Sequence, residues 1–446
     1  MKKNIKLLML LIIAVFTLSI IAACSSSSEP SDTPEKEENN NGKEEQEQKK
    51  EPEEVNLIWA YQGNEEQYQA DVGRFIEEKF PYVKVEVYDA GTDHPETLEE
   101  LIAKGKTPDI VTMGAITHTS HLATYELDYD ISNLIEQTSF DLERFEPSFI
   151  EFARNQDPDQ EGRLVVFPMT RPTYSLHYNK DVFDILGAEY PTDGMTWEEV
   201  VELAKDLTRE VNGVQYRGLD LDTPYDAYTQ FSQNSIDPET NDVLITQSEA
   251  YRRYLGLIGE VTSIPGNYPE ENPGDLLHNW GAEFDKENVA MTAIGTNFGW
   301  LEKDNIDIVT YPVWEGYEGI GPQPRGRGHA ITAPSENKEI ALEIIDYLLS
   351  DEVQIIKSKE GVASPLKSQE INDVYNADNP QFNDKNLASL FIHGYATGAP
   401  KRSKYGDGVI TMAGINYVNS GKELNEYLRI LQEEAEENVR SQMESE

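Results

Sequence analysis

Residues 162–180, GRLVVFPMTRPTYSLHYNK, constrain the fold of this chain more than any other stretch. Leu164, Val165, Val166 and Phe167 are apolar and β-prone, and residues 174–178 alternate aromatic or apolar with polar. Between them Pro168 and Pro172 exclude a helix, since proline lacks a backbone N–H and pushes its predecessor out of the helical region. Two strands parted by a stiff polar joint describe a chain passing from one folded body into another. Joints of that kind border clefts, and clefts bind ligands.

The elements on either side suit two α/β lobes. Strands are expected at 55–61, 83–88 and 107–113, with helices at 65–80 and 97–104. That β-α-β-α-β order calls for a mostly parallel sheet. Ligands of such sheets bind beyond the carboxyl ends of strands, here 61–64 and 114–118. After the joint a helix begins at Asn179. Another opens at Thr196-Trp197-Glu198-Glu199, where Thr196 and Glu199 have the spacing of a capping box. Val200, Leu203, Ala204 and Leu207 form its apolar stripe. Residues 218–228 hold a strand end and a turn, and 251–261 a helix. Strands are expected at 289–294 and 306–312. Residues 319–328, rich in glycine and carrying Arg325 and Arg327, form a second non-helical crossing. Helices follow at 338–349 and 421–442. About 390 residues from Val55 onward are too many for one ordinary core.

The start of the chain carries an address. Lys2, Lys3 and Lys6 precede an apolar run over residues 7–23, which ends beside Cys24, the chain's sole cysteine. The arrangement resembles a bacterial lipobox, which implies cleavage before Cys24 and a diacylglycerol anchor on its thiol. A single cysteine makes no internal disulfide. Residues 25–54 are polar, too poor in apolar side chains to offset their chain entropy, and read as a solvated tether. The expected location is the outer face of the cell membrane.

The formal charge is −45. The tether holds 11 acids and 4 bases, and the three lysines before the apolar run offset 3 charges, so −41 rests on the remaining chain. A surface that acidic argues against nucleic acid and anionic lipid as partners.

No catalytic set emerges: there is no cysteine to pair with a histidine, no Gly-x-Ser-x-Gly elbow and no Walker loop. His118 and His121 stand at i, i+3 without further His or Cys nearby, so no metal is expected, nor a cofactor. Among 82 acids a carboxylate pair is uninformative. Aromatics at predicted strand ends and turns say more: Trp59, Tyr61, Tyr174, Tyr225, Tyr228, Trp280, Phe298 and Trp300. Flat rings hold the C–H face of a sugar, while amides and guanidinia hold its hydroxyl edge. Arg171 lies in the joint itself; Arg325 and Arg327 flank a glycine in the return crossing, where a guanidinium binds sugar hydroxyls or a carboxylate.

Several of these pieces resemble the solute-binding proteins of bacterial ABC importers, in the extracellular family 1 group that includes maltose-binding protein. They are Gly162–Pro168 with Leu176–Lys180, the TWEE helix start at Thr196, Asn288–Thr292 with Gly295 beyond, and Gly361-Val-Ala-Ser-Pro365. They come in the family's order from Val55 to the C-terminus. The resemblance implies an α/β, two-lobe, type II periplasmic-binding-protein fold with crossover hinge strands. Lobe 1 would comprise 55–170 plus 329–370, and lobe 2 171–328 plus 371–446, after a signal peptide (1–23) and tether (24–54). It implies ligand contacts at Tyr61, Gln62, Thr117, Arg171, Thr173, Tyr225 and Asn297 or Phe298. Trp280, Arg325 and Arg327 complete the expected set. Thr223 replaces the acid of the family's Glu-Pro-Tyr turn. The implied function is non-enzymatic: a monomeric receptor that captures a carbohydrate and hands it to the importer's permease subunits. Alternatives are an anionic sugar or other solute on the same fold, and a surface enzyme acting on polysaccharide.

Overall fold

The structure is a computed structural model that describes residues 53–91, 95–222, 224–277, 281–405 and 412–445. Cys24 and Trp280 lie outside the described residues. Twelve strands occur among those described: β1 (Val55–Tyr61), β2 (Val83–Asp89), β3 (Ile110–Met113), β4 (Phe167–Pro168), β5 (Tyr174–Asn179), β6 (Arg209–Val211), β7 (Val214–Asp220), β8 (Val289–Gly295), β9 (Ile306–Thr310), β10 (Ile320–Gly321), β11 (Gly328–Ile331) and β12 (Gly394–Tyr395).

They form two five-stranded sheets and a short ribbon. The first sheet, in lobe 1, runs β2-β1-β3-β11-β4. β1 lies parallel to β2 and β3, as the β-α-β order requires, while the returning β11 is antiparallel to both its neighbours. The second sheet, in lobe 2, runs β6-β7-β8-β5-β9, with β5 antiparallel to β8 and β9. β10 and β12 pair with each other.

Each sheet has its own core. In lobe 1, Leu57, Trp59, Ile110 and Val111 pack with Ala341, Ile344 and Leu348 of the helix Lys338–Leu348. In lobe 2, Leu176, Leu219 and Met291 pack with Val200 and Ala204, and with Leu428 and Leu431 of the helix Leu424–Ser445. A smaller cluster joins Val289, Ile308 and Trp300 to Phe382 and Leu390.

The joint at 168–173 does link the two sheets, from β4 to β5. Only Phe167 and Pro168 of the expected first strand join a ladder. Leu164–Val166 are buried beside the turn at Ile131, whose amide donates to the Leu164 carbonyl at 2.9 Å, and among the described residues they pair with no strand. The helix from Glu65 to Lys79 contains a π segment, Gln69–Gly73, which period counting does not register. Among the described residues no helix is long and apolar enough to cross a membrane.

Candidate ligand-binding site

A cavity of about 520 Å³ lies between the lobes. Its lobe 1 side comes from two stretches. Thr117 sits in the turn Ile116–His118 just beyond the carboxyl end of β3, where parallel strands deliver ligand contacts. Gln156 and Gln160 follow the helix Pro147–Asn155. On the lobe 2 side the short helix Tyr225–Thr229 starts after Pro224, whose fixed φ of −61° suits a helix entry. It presents Tyr225, Tyr228 and Thr229 to the cavity, with Ser232, Gln233 and Asn234 beyond. Gln323 and Arg325 of the return crossing form the back. Residues 398–404 supply a third wall.

The wall chemistry is dominated by side-chain amides and hydroxyls, with two tyrosine rings. The charged groups there are largely held by others. Arg325 forms an ion pair with the buried Asp226 and lies 5.2 Å from the Tyr225 ring centroid. Burial opposes its charge, and Asp226 more than offsets that, so its pKa lies above the usual arginine value. Asp157 is buried and accepts from the amides of Asp159 (3.1 Å), Glu161 (2.9 Å) and Arg163 (3.1 Å). It also pairs with the Arg163 guanidinium at 2.8 Å. Burial raises its pKa, but these hydrogen bonds outweigh that and leave it below the ordinary carboxylate value.

Of the residues expected at the site, Thr117, Tyr225 and Arg325 meet at this cavity. Tyr61, Gln62 and Arg327 form a separate cluster on lobe 1. The Arg327 guanidinium lies 5.1 Å from the Tyr61 ring centroid, pairs with Asp71 at 3.0 Å, and donates to the Gln62 carbonyl at 2.7 Å. The Tyr61 hydroxyl donates to Asp71 at 2.5 Å. Burial, then this bond, raises the tyrosine pKa.

Arg171 is buried in a cage of three rings, Phe391, Phe149 and Tyr395, at 5.3, 5.7 and 5.8 Å. Thr173 accepts from the Thr296 amide through its carbonyl. Asn297 caps the helix Phe298–Leu301, accepting from the Gly299 amide at 3.0 Å. Phe298 packs edge-on against Phe382 at 5.4 Å. None of these four lines the cavity.

Sequence reasoning missed Gln156, Gln160, Asn234, Gln323 and the wall at 398–404. Amides in loops carry no periodic signal, and their convergence depends on contacts between positions more than 160 residues apart, as between Asn234 and Lys401.

Known proteins show the same architecture. Solved structures that superpose on this chain include the sugar-binding protein MalE of Xanthomonas citri. It has a TM-score of 0.66 at 18% identity, covering 87% of this chain and 98% of that one. An ABC substrate-binding protein of Listeria monocytogenes, in complex with cycloalternan, has a TM-score of 0.62 at 18% identity, with 88% and 99% covered. UgpB of Mycobacterium tuberculosis, in complex with glycerophosphocholine, gives 0.60 at 18%, with 88% and 100% covered. All three are binding proteins of the two-lobe fold. No curated protein matches by sequence. Residues 61–355 match the bacterial extracellular solute-binding proteins. With two sheets joined by crossover straps around an interlobe cavity, the chain belongs to that family.

Proposed function

We propose that this chain is the carbohydrate-capturing receptor of an ABC importer, a monomer tethered to the membrane through Cys24, and that it delivers its sugar to the permease subunits. The observation that carries this reading is the wall of the interlobe cavity: amides and hydroxyls for a hydroxyl edge, and the partly buried Tyr225 ring for a C–H face. A ligand that touches both lobes only when they are closed favours the closed form, which is the population shift a receptor needs.

An uncharged ligand fits better than an anionic one. The three arginines that favour a carboxylate ligand are already engaged: Arg325 with Asp226, Arg327 with Asp71, and Arg171 among three rings. Asp157, the carboxylate that lines the cavity, and Asp226, behind Arg325, are both buried and each tied to an arginine, which supports binding rather than glycoside hydrolysis.

The test is a thermal-shift screen against mono- and oligosaccharides and uronates, since a ligand that binds only the native state raises Tm. Tyr225→Ala should weaken the best ligand roughly tenfold to a hundredfold, the range for losing a central aromatic contact, with little change in the ligand-free Tm. No shift with any sugar, or unchanged affinity in the variant, counts against the reading.

A further inference from the structure

The third wall of the cavity belongs to lobe 2 by chain connection but is bonded to lobe 1. Residues 397–404 run from β12 toward Tyr405 and Ala413, which are both buried in the lobe 2 core. Their strongest side-chain partner is nevertheless Gln160. Its Nε2 donates to the Arg402 carbonyl and its Oε1 accepts from the Arg402 amide, both at 2.7 Å. One amide thus satisfies both main-chain groups of a single residue, as a neighbouring strand would. Gln156 Oε1 accepts from the Arg402 guanidinium at 2.9 Å. Asn155 Nδ2 donates to the Thr397 carbonyl at 3.0 Å.

Gln160 is built to stay where it is. Its φ is +57°, a left-handed conformation uncommon for a residue with a side chain. The Asp157 carbonyl accepts its amide at 3.1 Å, and the Asp157 carboxylate pins the residues on both sides of it. The same segment is also tied to its own lobe: Asn234 donates to the Lys401 carbonyl at 2.7 Å, and Ser403 bonds Asn241 at 3.0 Å. Lobe separation would leave the lobe 2 ties intact and break those from Asn155, Gln156 and Gln160.

We propose that Gln160 and Arg402 form a latch between the lobes: the pair closes as the lobes meet, fixes the third wall of the cavity, and adds to the stability of the closed form. This rests on the reading that the lobes open and close around a ligand. Gln160 is then a positioning residue, which sets how long a captured ligand is retained by holding the wall beside it. Five protein–protein hydrogen bonds run from lobe 1 to this wall, and a latch of this kind acts whether or not ligand is bound.

Single-molecule energy transfer on the full chain tests this, with dyes on Glu99→Cys in lobe 1 and Glu202→Cys in lobe 2, and Cys24→Ser to leave two labelling sites. Without ligand, the unlatched variants Gln160→Ala and Asn155→Ala should each lower the closed-to-open ratio. The drop for Gln160→Ala should be roughly tenfold, as for two hydrogen bonds of ordinary net strength. Asn241→Gly, which cuts a tie within lobe 2, should leave the ratio unchanged. Asn155 lies off the cavity lining, so its variant decides the matter if Gln160→Ala fails to fold by circular dichroism. Unlatched variants with the parent's distribution overturn the proposal. The readout needs no ligand, so a sugar screen without hits would sink the carbohydrate reading and leave the latch standing.

Discussion

Arg325 and Arg327 stand two residues apart in the return crossing and turn to opposite lobes. Each guanidinium lies over a tyrosine, Tyr225 or Tyr61, and pairs with an aspartate, Asp226 or Asp71. Gly326 between them presses on the other crossing: a Cβ there would sit 2.7 Å from the Thr170 carbonyl oxygen. The two arginines therefore rivet the strap to both lobes. In a chain with 82 acids no sequence spacing shows which carboxylate takes which arginine. Position in the strap was legible, and partnership was not. His177 in β5 makes a prediction at this scale. It is fully buried, its ring meets Trp300 edge-on at 5.1 Å, and its Nε2 accepts the Asn297 amide at 3.1 Å. Burial pushes its pKa down to about 3, against about 6.5 in an unfolded chain. Between those values the unfolded chain takes up a proton that the native state refuses, so stability falls as pH drops through the window. The slope is at most about 1.4 kcal/mol per pH unit. His177→Gln removes that proton. Urea unfolding at pH 7, 5.5 and 4 should show the parent losing stability faster than the variant, and parallel losses would show that His177 does not drive the slope.

Elements whose ends are fixed locally were readable from the sequence. Thr196 accepts from the Glu199 amide at 3.2 Å, and the Glu199 carboxylate accepts from the Thr196 amide at 2.9 Å, the reciprocal pair that the four-residue spacing implies. The face of that helix was also readable, since Val200, Ala204 and Leu207 are buried. How closely the helix approaches its sheet was not. Gly218 in β7 lies so close to it that a Cβ there would sit 2.1 Å from the Ala204 carbonyl oxygen. A backbone oxygen cannot rotate away, so the helix itself would have to shift. Gly218→Ala should cost about 1–3 kcal/mol, the usual range for overpacking, while Thr196→Ala should cost about 1 kcal/mol through the lost cap. Chemical denaturation of the two variants ranks them. A harmless Gly218→Ala would mean that helix and strand are free to move apart. The wall at 397–404 escaped the sequence for a related reason: it has no period and no cap, only distant partners.

At the scale of the whole molecule, charge decides how stability responds to salt. The chain has 82 acids and 37 lysines and arginines, so acids outnumber bases by 45. Many of the observed pairs are exposed, such as Lys104–Glu100 and Arg440–Glu437, and pairs of that kind contribute little. The outer face of the helix Leu424–Ser445 concentrates the excess, with Glu433, Glu434, Glu436 and Glu437 exposed within five residues. Self-repulsion on this scale destabilises the compact state more than the expanded one. Salt shortens the reach of that repulsion, to about 10 Å at 0.1 M and about 3 Å at 1 M. It weakens the exposed ion pairs too, but those are outnumbered. Tm measured by calorimetry at neutral pH should therefore climb from low salt toward 1 M sodium chloride, steeply at first and then levelling off. Potassium chloride should match it, because screening depends on ionic strength and not on the cation. A Tm indifferent to salt would mean that the acidic surface is neutralised by geometry rather than tolerated, and that its charge serves solubility alone.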